Sequence, residues 1–164
     1  KKTVSLALKN GIKIYRAKRG DNIKNGKVSL SILHPFLENN YLVRNKNNNS
    51  IVIKLKYHNF SLLLTGDLER EGEMKLVNSG DNLKSKILKL GHHGSKSSSS
   101  ELFLKKVKAK EAIICVGENN YGHPAKSVIE RTNNFGMRKW ITKDNGAVII
   151  KTDGYSYSIE SIKN

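Results

Sequence analysis

Short runs of β-type residues dominate the first third of the chain: "TVSLAL", "IKIYRA" and "KVSLSIL", then "SIVIKLKY" and "FSLLLT". Each predicts a strand, and only His58-Asn59 separates the last two, which predicts a tight hairpin. Upstream of that pair, the asparagine-rich "ENNYLVRNKNNNS" predicts an exposed connection. After Asp67 the pattern changes. In "LEREGEMKLVNSG" the apolar Leu68, Met74 and Leu76 and the closing Gly80 suit a helix with a glycine stop. From there strands and helices alternate: strand "KILKLG", helix "SSELFLKKV", strand "EAIICVG", helix "PAKSVIERTNNF". Three strands follow, "RKWIT", "AVIIKT" and "YSYSIE", with Asn145-Gly146 and Asp153-Gly154 as hairpin turns between them. Strands first and strand-helix alternation later predict an α/β layered domain with mixed sheets.

Charge adds a partner class to this picture. The chain of 164 residues holds 30 Lys and Arg against 14 Asp and Glu, a formal charge of +16. Such an excess attracts polyanions, nucleic acid first and an anionic membrane surface or cell-wall polymer second. The bias is uneven, since residues 1–30 hold nine basic residues and one acid, Asp21. A length of 164 suits one domain. No run approaches the ~18 apolar residues of a membrane span, and the first residues are too broken by charge and glycine for a secretory signal. A single cysteine, Cys115 in "EAIICVG", excludes an intrachain disulfide and a thiolate metal cluster and reads as a buried small residue.

Chemistry-bearing residues stand where strands end in glycine-containing turns, which is where α/β layers place ligands. Asp67 closes "FSLLLTGD", His92 and His93 close "KILKLGHHG", and His123 lies in "ENNYGHP" after "EAIICVG". The intervals are 25 residues (92 − 67) and 30 residues (123 − 93), each about one strand-helix unit, so the three points can converge. Carboxylate with imidazole suits Zn²⁺, Mn²⁺ or Fe. An aspartate can bridge two ions, and a two-metal site binds a phosphoryl group and activates water. Each residue also has a plainer reading: Asp67 as a helix N-cap in "GDLERE", His123 as a loop residue before Pro124. On a regular strand His92 and His93 point to opposite sides, so one of them at most faces a site. His34 in "LHP" reads as structural, and His58 sits in the hairpin turn.

The segments "LLLTGDLEREGE", "LKLGHHGSKSSSSELF", "AIICVGENNYGHP" and "DNGAVIIKTDG" resemble, in order and spacing, the metallo-β-lactamase-like domain of ComEC-type DNA-internalisation proteins; "VSLSILHP" and "NNNSIVIKL" extend the resemblance over nearly the whole chain. The resemblance implies an αββα sandwich. It implies that Asp67 bridges two metal ions, Zn²⁺ or Mn²⁺, and that one histidine of "GHHGS" is a further ligand, here assigned to His93. His92 is then a proton donor or hydrogen-bond partner beside the scissile phosphate, Ser95 anchors the turn or contacts phosphate, and His123 lines the pocket as an acid or supporting group. Enzymes of this fold also carry an HxHxDH motif, and the five histidines here, His34, His58, His92, His93 and His123, contain none. Residues 1–164 therefore read as the C-terminal two-thirds of one such domain, incomplete on its N-terminal side. Metal binding is expected to be weak or absent in this chain alone, and homo-oligomerisation through the incomplete sheet is expected.

Three functions compete on this reading. The first is a metal-dependent phosphodiesterase, a nuclease linked to DNA uptake, with Lys96 and the serine run contacting backbone phosphates. The second is a non-catalytic nucleic-acid-binding module. The third is hydrolysis of another anionic ester such as cell-surface phosphocholine. A ComEC-type parent would tether the domain to a membrane; a stand-alone relative would be free or secreted.

Overall fold

The computed structural model describes residues 2–36 and 46–163. The central element is a seven-stranded sheet in the order β1 (Asn22–Asn25), β2 (Val28–His34), β3 (Val52–Tyr57), β4 (Phe60–Leu64), β5 (Ile87–Lys89), β6 (Glu111–Ile114) and β7 (Arg138–Ile141). β1 to β4 are antiparallel, and β4 to β7 run parallel. The change follows from the connections. β3 and β4 meet through the expected two-residue hairpin, with His58 at φ 50°. The parallel strands are spanned by crossovers containing α2 (Arg70–Asn78), α3 (Glu101–Val107) and α4 (Lys126–Asn134).

Side-chain alternation along the strands builds two cores on the two faces of the sheet. Val52, Leu63, Leu88, Ala112 and Ile114 face Leu76 of α2, Phe103, Leu104 and Val107 of α3, and Val128 of α4. Phe60, Ile87, Ile113 and Trp140 face the other way, against Val148, Ile150, Tyr157 and Ile159. Those last four lie on β8 (Ala147–Thr152) and β9 (Tyr157–Ile162), an antiparallel pair forming its own two-stranded sheet. The layers are thus helices, a large sheet and a small sheet. The Asp153-Gly154 hairpin occurs as expected, and Gly154 docks the small sheet by accepting the Asn59 and Phe60 N–H groups at 2.8 and 2.9 Å. The Asn145-Gly146 hairpin does not occur: β7 pairs only within the large sheet, and the turn α5 (Thr142–Asn145) passes the chain to the small one.

The N-terminal expectations need correction. "TVSLAL" forms a helix, α1 (Lys2–Lys9), and "IKIYRA" is irregular. A strand needs a neighbour for its N–H and C=O groups, whereas a helix satisfies them internally. No residue of α1 is buried. The strand missed in the sequence is the short polar β1, which β2 recruits as a partner. Of the asparagine-rich connection, residues 38–45 lie outside the described residues; the remainder is a 3₁₀ turn, Lys46–Asn49, in which Asn48 is only 3% exposed.

Asn48 is buried because it caps α2 from a distance. Its Oδ1 accepts the N–H groups of Glu69 and Gly72 at 3.1 and 3.3 Å, and Glu69 at the cap position makes no side-chain cap bond of its own. Gly72 makes room: a Cβ there would lie 3.1 Å from Asn48 Oδ1 and 2.3 Å from Leu68 Cδ1. Asn48→Ala is expected to cost about 2 kcal/mol, the upper end for a lost cap, because the buried Gly72 N–H and the partly buried Glu69 N–H both lose their acceptor. Urea denaturation followed by circular dichroism measures this directly. No described helix is long and apolar enough to cross a membrane.

Candidate metal and phosphoryl site

Three strand ends, those of β4, β5 and β6, bring Asp67, the His92-His93 pair and His123 to one end of the large sheet. The first turn is fixed by Thr65, whose buried hydroxyl donates to the Lys89 carbonyl at 2.7 Å, and by Lys89, whose ammonium donates to the Gly66 carbonyl at 2.9 Å. Asp67 then donates its N–H to Ser50 Oγ at 3.0 Å. It precedes α2 and is not its N-cap, which leaves its carboxylate to the site.

The histidines do not sit on a strand. β5 ends at Lys89, and both His92 (φ 46°, ψ 48°) and His93 (φ 55°, ψ 24°) are left-handed. That conformation costs a residue with a Cβ ~1–2 kcal/mol, and such strain concentrates at functional sites. Its effect corrects the expectation that one histidine at most faces the site. Both rings lie in the same cluster, 6.2 Å apart, with His92 5.6 Å from the His123 ring.

Hydrogen bonding assigns the ring nitrogens. His93 Nδ1 lies 2.6 Å from the Cys115 carbonyl, which can only accept, so Nδ1 carries the proton. In the neutral ring Nε2 is then a bare lone pair, and it lies 3.5 Å from Asp67 Oδ1. Two acceptors facing each other need a proton or a cation between them. The distance suits a cation: donors at ~2.1 Å on a tetrahedral ion lie about 3.4 Å apart. A carbonyl holding the far nitrogen is also the usual support of a metal-binding imidazole. Asp67 and His93 therefore fit as two donors, and among the described residues no group of three or more His, Cys, Asp or Glu is placed to hold an ion. Both side chains are nearly half exposed, at 44% and 48%.

His92 is held differently. Its Nδ1 lies 3.0 Å from Glu69 Oε1, and Asn47 donates to the same oxygen at 3.0 Å. Glu69 and Asn47 were missed in the sequence; Glu69 stands two residues past Asp67, where "GDLERE" reads as helix start. His123 is clamped by Asn119, which accepts its N–H at 3.0 Å and donates to its carbonyl at 2.8 Å. His123 Nδ1 is buried with no hydrogen-bond partner among the described residues. Desolvation, and then the charges of His92 and His93, hold its pKa below the ordinary histidine value. The shift favours its neutral form, in which one ring nitrogen can accept.

The serines are mostly internal. Ser95 is 6% exposed, donates its N–H to the His92 carbonyl at 2.8 Å and places its hydroxyl 3.0 Å from Ser97 Oγ. Ser98 and Ser99 are each 1% exposed. Ser95, Ser98 and Ser99 hold the loop together from within, Ser97 and Ser100 are half-buried, and Lys96 is the exposed cation of the loop. His34 is buried against the Ser50 carbonyl at 2.8 Å, in the expected structural role, and Cys115 is half-buried in the second core.

No protein-family model matches the chain. It is 36% identical over 148 residues to ComE operon protein 3 of Bacillus subtilis, covering 90% of this chain and 19% of that protein. It is 40% identical over 104 residues to competence protein ComA of Neisseria gonorrhoeae, covering 62% and 15%. It is 38% identical over 97 residues to recombination protein 2 of Haemophilus influenzae, covering 58% and 12%. The chain spans about a fifth or less of the length of these curated relatives. Their names indicate a competence family, and this chain matches one stretch of its members.

Proposed function

We propose that this chain is part of a metallo-β-lactamase-like phosphodiesterase, a nuclease that acts on DNA during uptake. The observation that carries the reading is the pair of acceptors, Asp67 Oδ1 and His93 Nε2, facing each other at 3.5 Å. The competence names of the relatives supply the setting. Asp67 and His93 contribute two donors for Zn²⁺ or Mn²⁺, and the remaining ligands come from outside the described residues. When bound, such an ion supplies Lewis acidity toward a phosphoryl oxygen.

The chain's own acid-base group is His92. Glu69 fixes its Nδ1–H, so Nε2 is free to take the proton of the attacking water as the phosphorus-oxygen bond forms. The Glu69 carboxylate stabilises the resulting imidazolium; the leaving deoxyribose oxygen departs from the opposite side of phosphorus and takes its proton from solvent, to which the imidazolium then returns its own. Glu69 is a positioning residue in this scheme. His123, neutral and 5.6 Å from His92, supplies a further acceptor without adding positive charge beside it.

The test is Mn²⁺- and Zn²⁺-dependent cleavage of labelled DNA by the full-length gene product, beside its Asp67→Ala and His92→Gln variants. Loss of a catalytic group of this kind is expected to lower the rate by about 10²–10⁴-fold. Cleavage undiminished in Asp67→Ala overturns the reading. The +16 charge favours a second one, a binding module. Salt-sensitive DNA binding by the full-length protein with no cleavage under either metal would establish that second reading.

A further inference from the structure

We infer that the molecule has a second anion site, a six-lysine groove at the opposite end of the sheet from the histidines, which takes the sugar-phosphate backbone of a nucleic-acid strand. The groove encloses about 750 Å³ and is lined by Lys54, Lys56, Lys84, Lys86, Lys108 and Lys110. No carboxylate is among its lining residues, and none of the six lysines has an ion-pair partner among the described residues. The inference stands independently of whether the histidine site cleaves anything.

Topology puts the two sites at opposite ends. Asp67, His92 and His123 follow β4, β5 and β6, whereas Ser61, Lys86 and Lys110 stand where the same three strands begin. The extended part of this path, β4 from Phe60 to Leu64, alone spans about 13 Å. The lysines are ordered by the sheet itself. Lys56 is the register partner of Ser61, Lys86 donates its N–H to the Ser61 carbonyl at 3.0 Å, and Lys110 donates its own to the Lys86 carbonyl at 3.1 Å. Lys56, Lys86 and Lys110 thus form one row across the strands. Lys54 stands two residues from Lys56 on β3 and so on the same face of that strand, whereas Lys84 and Lys108 line the groove from the segments that lead into β5 and β6.

Six like charges in one concavity repel each other, and a bound polyanion relieves that cost. The Lys54 ammonium is already partly desolvated and donates to the Asn82 carbonyl at 2.5 Å. A row of point charges on fixed backbone suits a repeating phosphate chain. The concave shape, with Phe60 and Tyr157 in its wall, suits a strand more than the flat face of a bilayer.

Fluorescence anisotropy with a labelled 20-nucleotide single strand and a 20-base-pair duplex, across a salt series, tests the groove. Lys56→Gln/Lys86→Gln/Lys110→Gln is expected to weaken binding by at least about tenfold and to reduce the single-strand salt slope by about 2, at ~0.7 per phosphate contact. A charge-matched triple on the exposed N-terminal segment, Lys2→Gln/Lys9→Gln/Lys13→Gln, is expected to change the slope far less. Melting curves check the fold, and Lys→Ala versions of both triples provide a second set. Equal losses in the two triples overturn the groove. So does loss of binding to phosphatidylserine vesicles in the groove triple with DNA binding retained. If Asp67→Ala loses DNA binding while the groove triple keeps it, the strand is held at the histidines and the inference fails. Absence of cleavage with groove binding intact counts against the nuclease reading alone.

Discussion

Glu73→Ala is expected to destabilise the fold by about 4 kcal/mol, because it removes the acceptor of the buried Ser99 N–H and the partly buried Ser100 N–H, at ~1–3 kcal/mol each, and leaves a cavity. At ~2–4 °C per kcal/mol for a domain of this size, the melting temperature should fall by about 10 °C. Glu73 lies on the inner face of α2 and is 1% exposed. Its two carboxyl oxygens accept the N–H groups of Ser99 and Ser100. From the other side Arg131 of α4 donates to the Ser99 and Ser98 carbonyls, both at 2.9 Å. The serine run is thus a buckle between two helices, and the histidine turn is built on the same loop. Glu73→Gln keeps one acceptor and should cost less. Burial pushes the Glu73 carboxyl above its ordinary pKa, against the pull of the Ser100 and Ser99 bonds and of Arg131. A raised carboxyl pKa means that ionisation costs more in the folded than in the unfolded state. Its contribution is therefore complete below the ordinary glutamate value and is lost as pH rises through the folded one. The advantage of wild type over Glu73→Gln should shrink over that window, which denaturant melts at successive pH values will show.

The second large effect is expected at Gly91. A Cβ built there lies 2.4 Å from the Leu68 carbonyl oxygen, a backbone atom that cannot rotate away. Gly91→Ala must therefore part the histidine turn from the segment carrying Asp67, at a cost of about 3 kcal/mol, the upper range for overpacking. The same shift lengthens the 3.5 Å approach of Asp67 to His93. Calorimetric titration of the full-length gene product with Zn²⁺ should show weaker binding by Gly91→Ala than by a control at an open glycine, such as Gly117→Ala, where a Cβ meets nothing within 4 Å. Equal melting temperatures and equal Zn²⁺ affinities for the two variants would contradict this account.

Much of the site was legible because its residues follow strands. Apolar runs ending in "TGD", "GHHG" and "YGHP" mark the ends of β4, β5 and β6, and parallel pairing brings such ends together without further information. What escaped the sequence depends on contacts between distant residues. Asn48 caps a helix that begins 22 residues later, and Glu69 orients His92 across 23. Neither spacing has a local signature. "TVSLAL" misled because β-type composition says that a strand is possible, whereas pairing decides whether one forms.

By itself the sequence determined the strand-helix alternation from Phe60 onward, the hairpin at His58-Asn59, the positive charge and the four polar residues poised at strand ends, since each is a property of local composition and period. Tertiary structure alone decided the rest. It split the terminal strands between two sheets, since sheet membership depends on which face needs covering. It folded His92 and His93 into a left-handed turn that points both rings the same way, because Gly91 is pinned against Leu68 and Ser95 closes the turn behind them. It also gathered six lysines, in three pairs far apart in the chain, into one groove, because strand register aligns residues that periodicity along a single segment cannot relate.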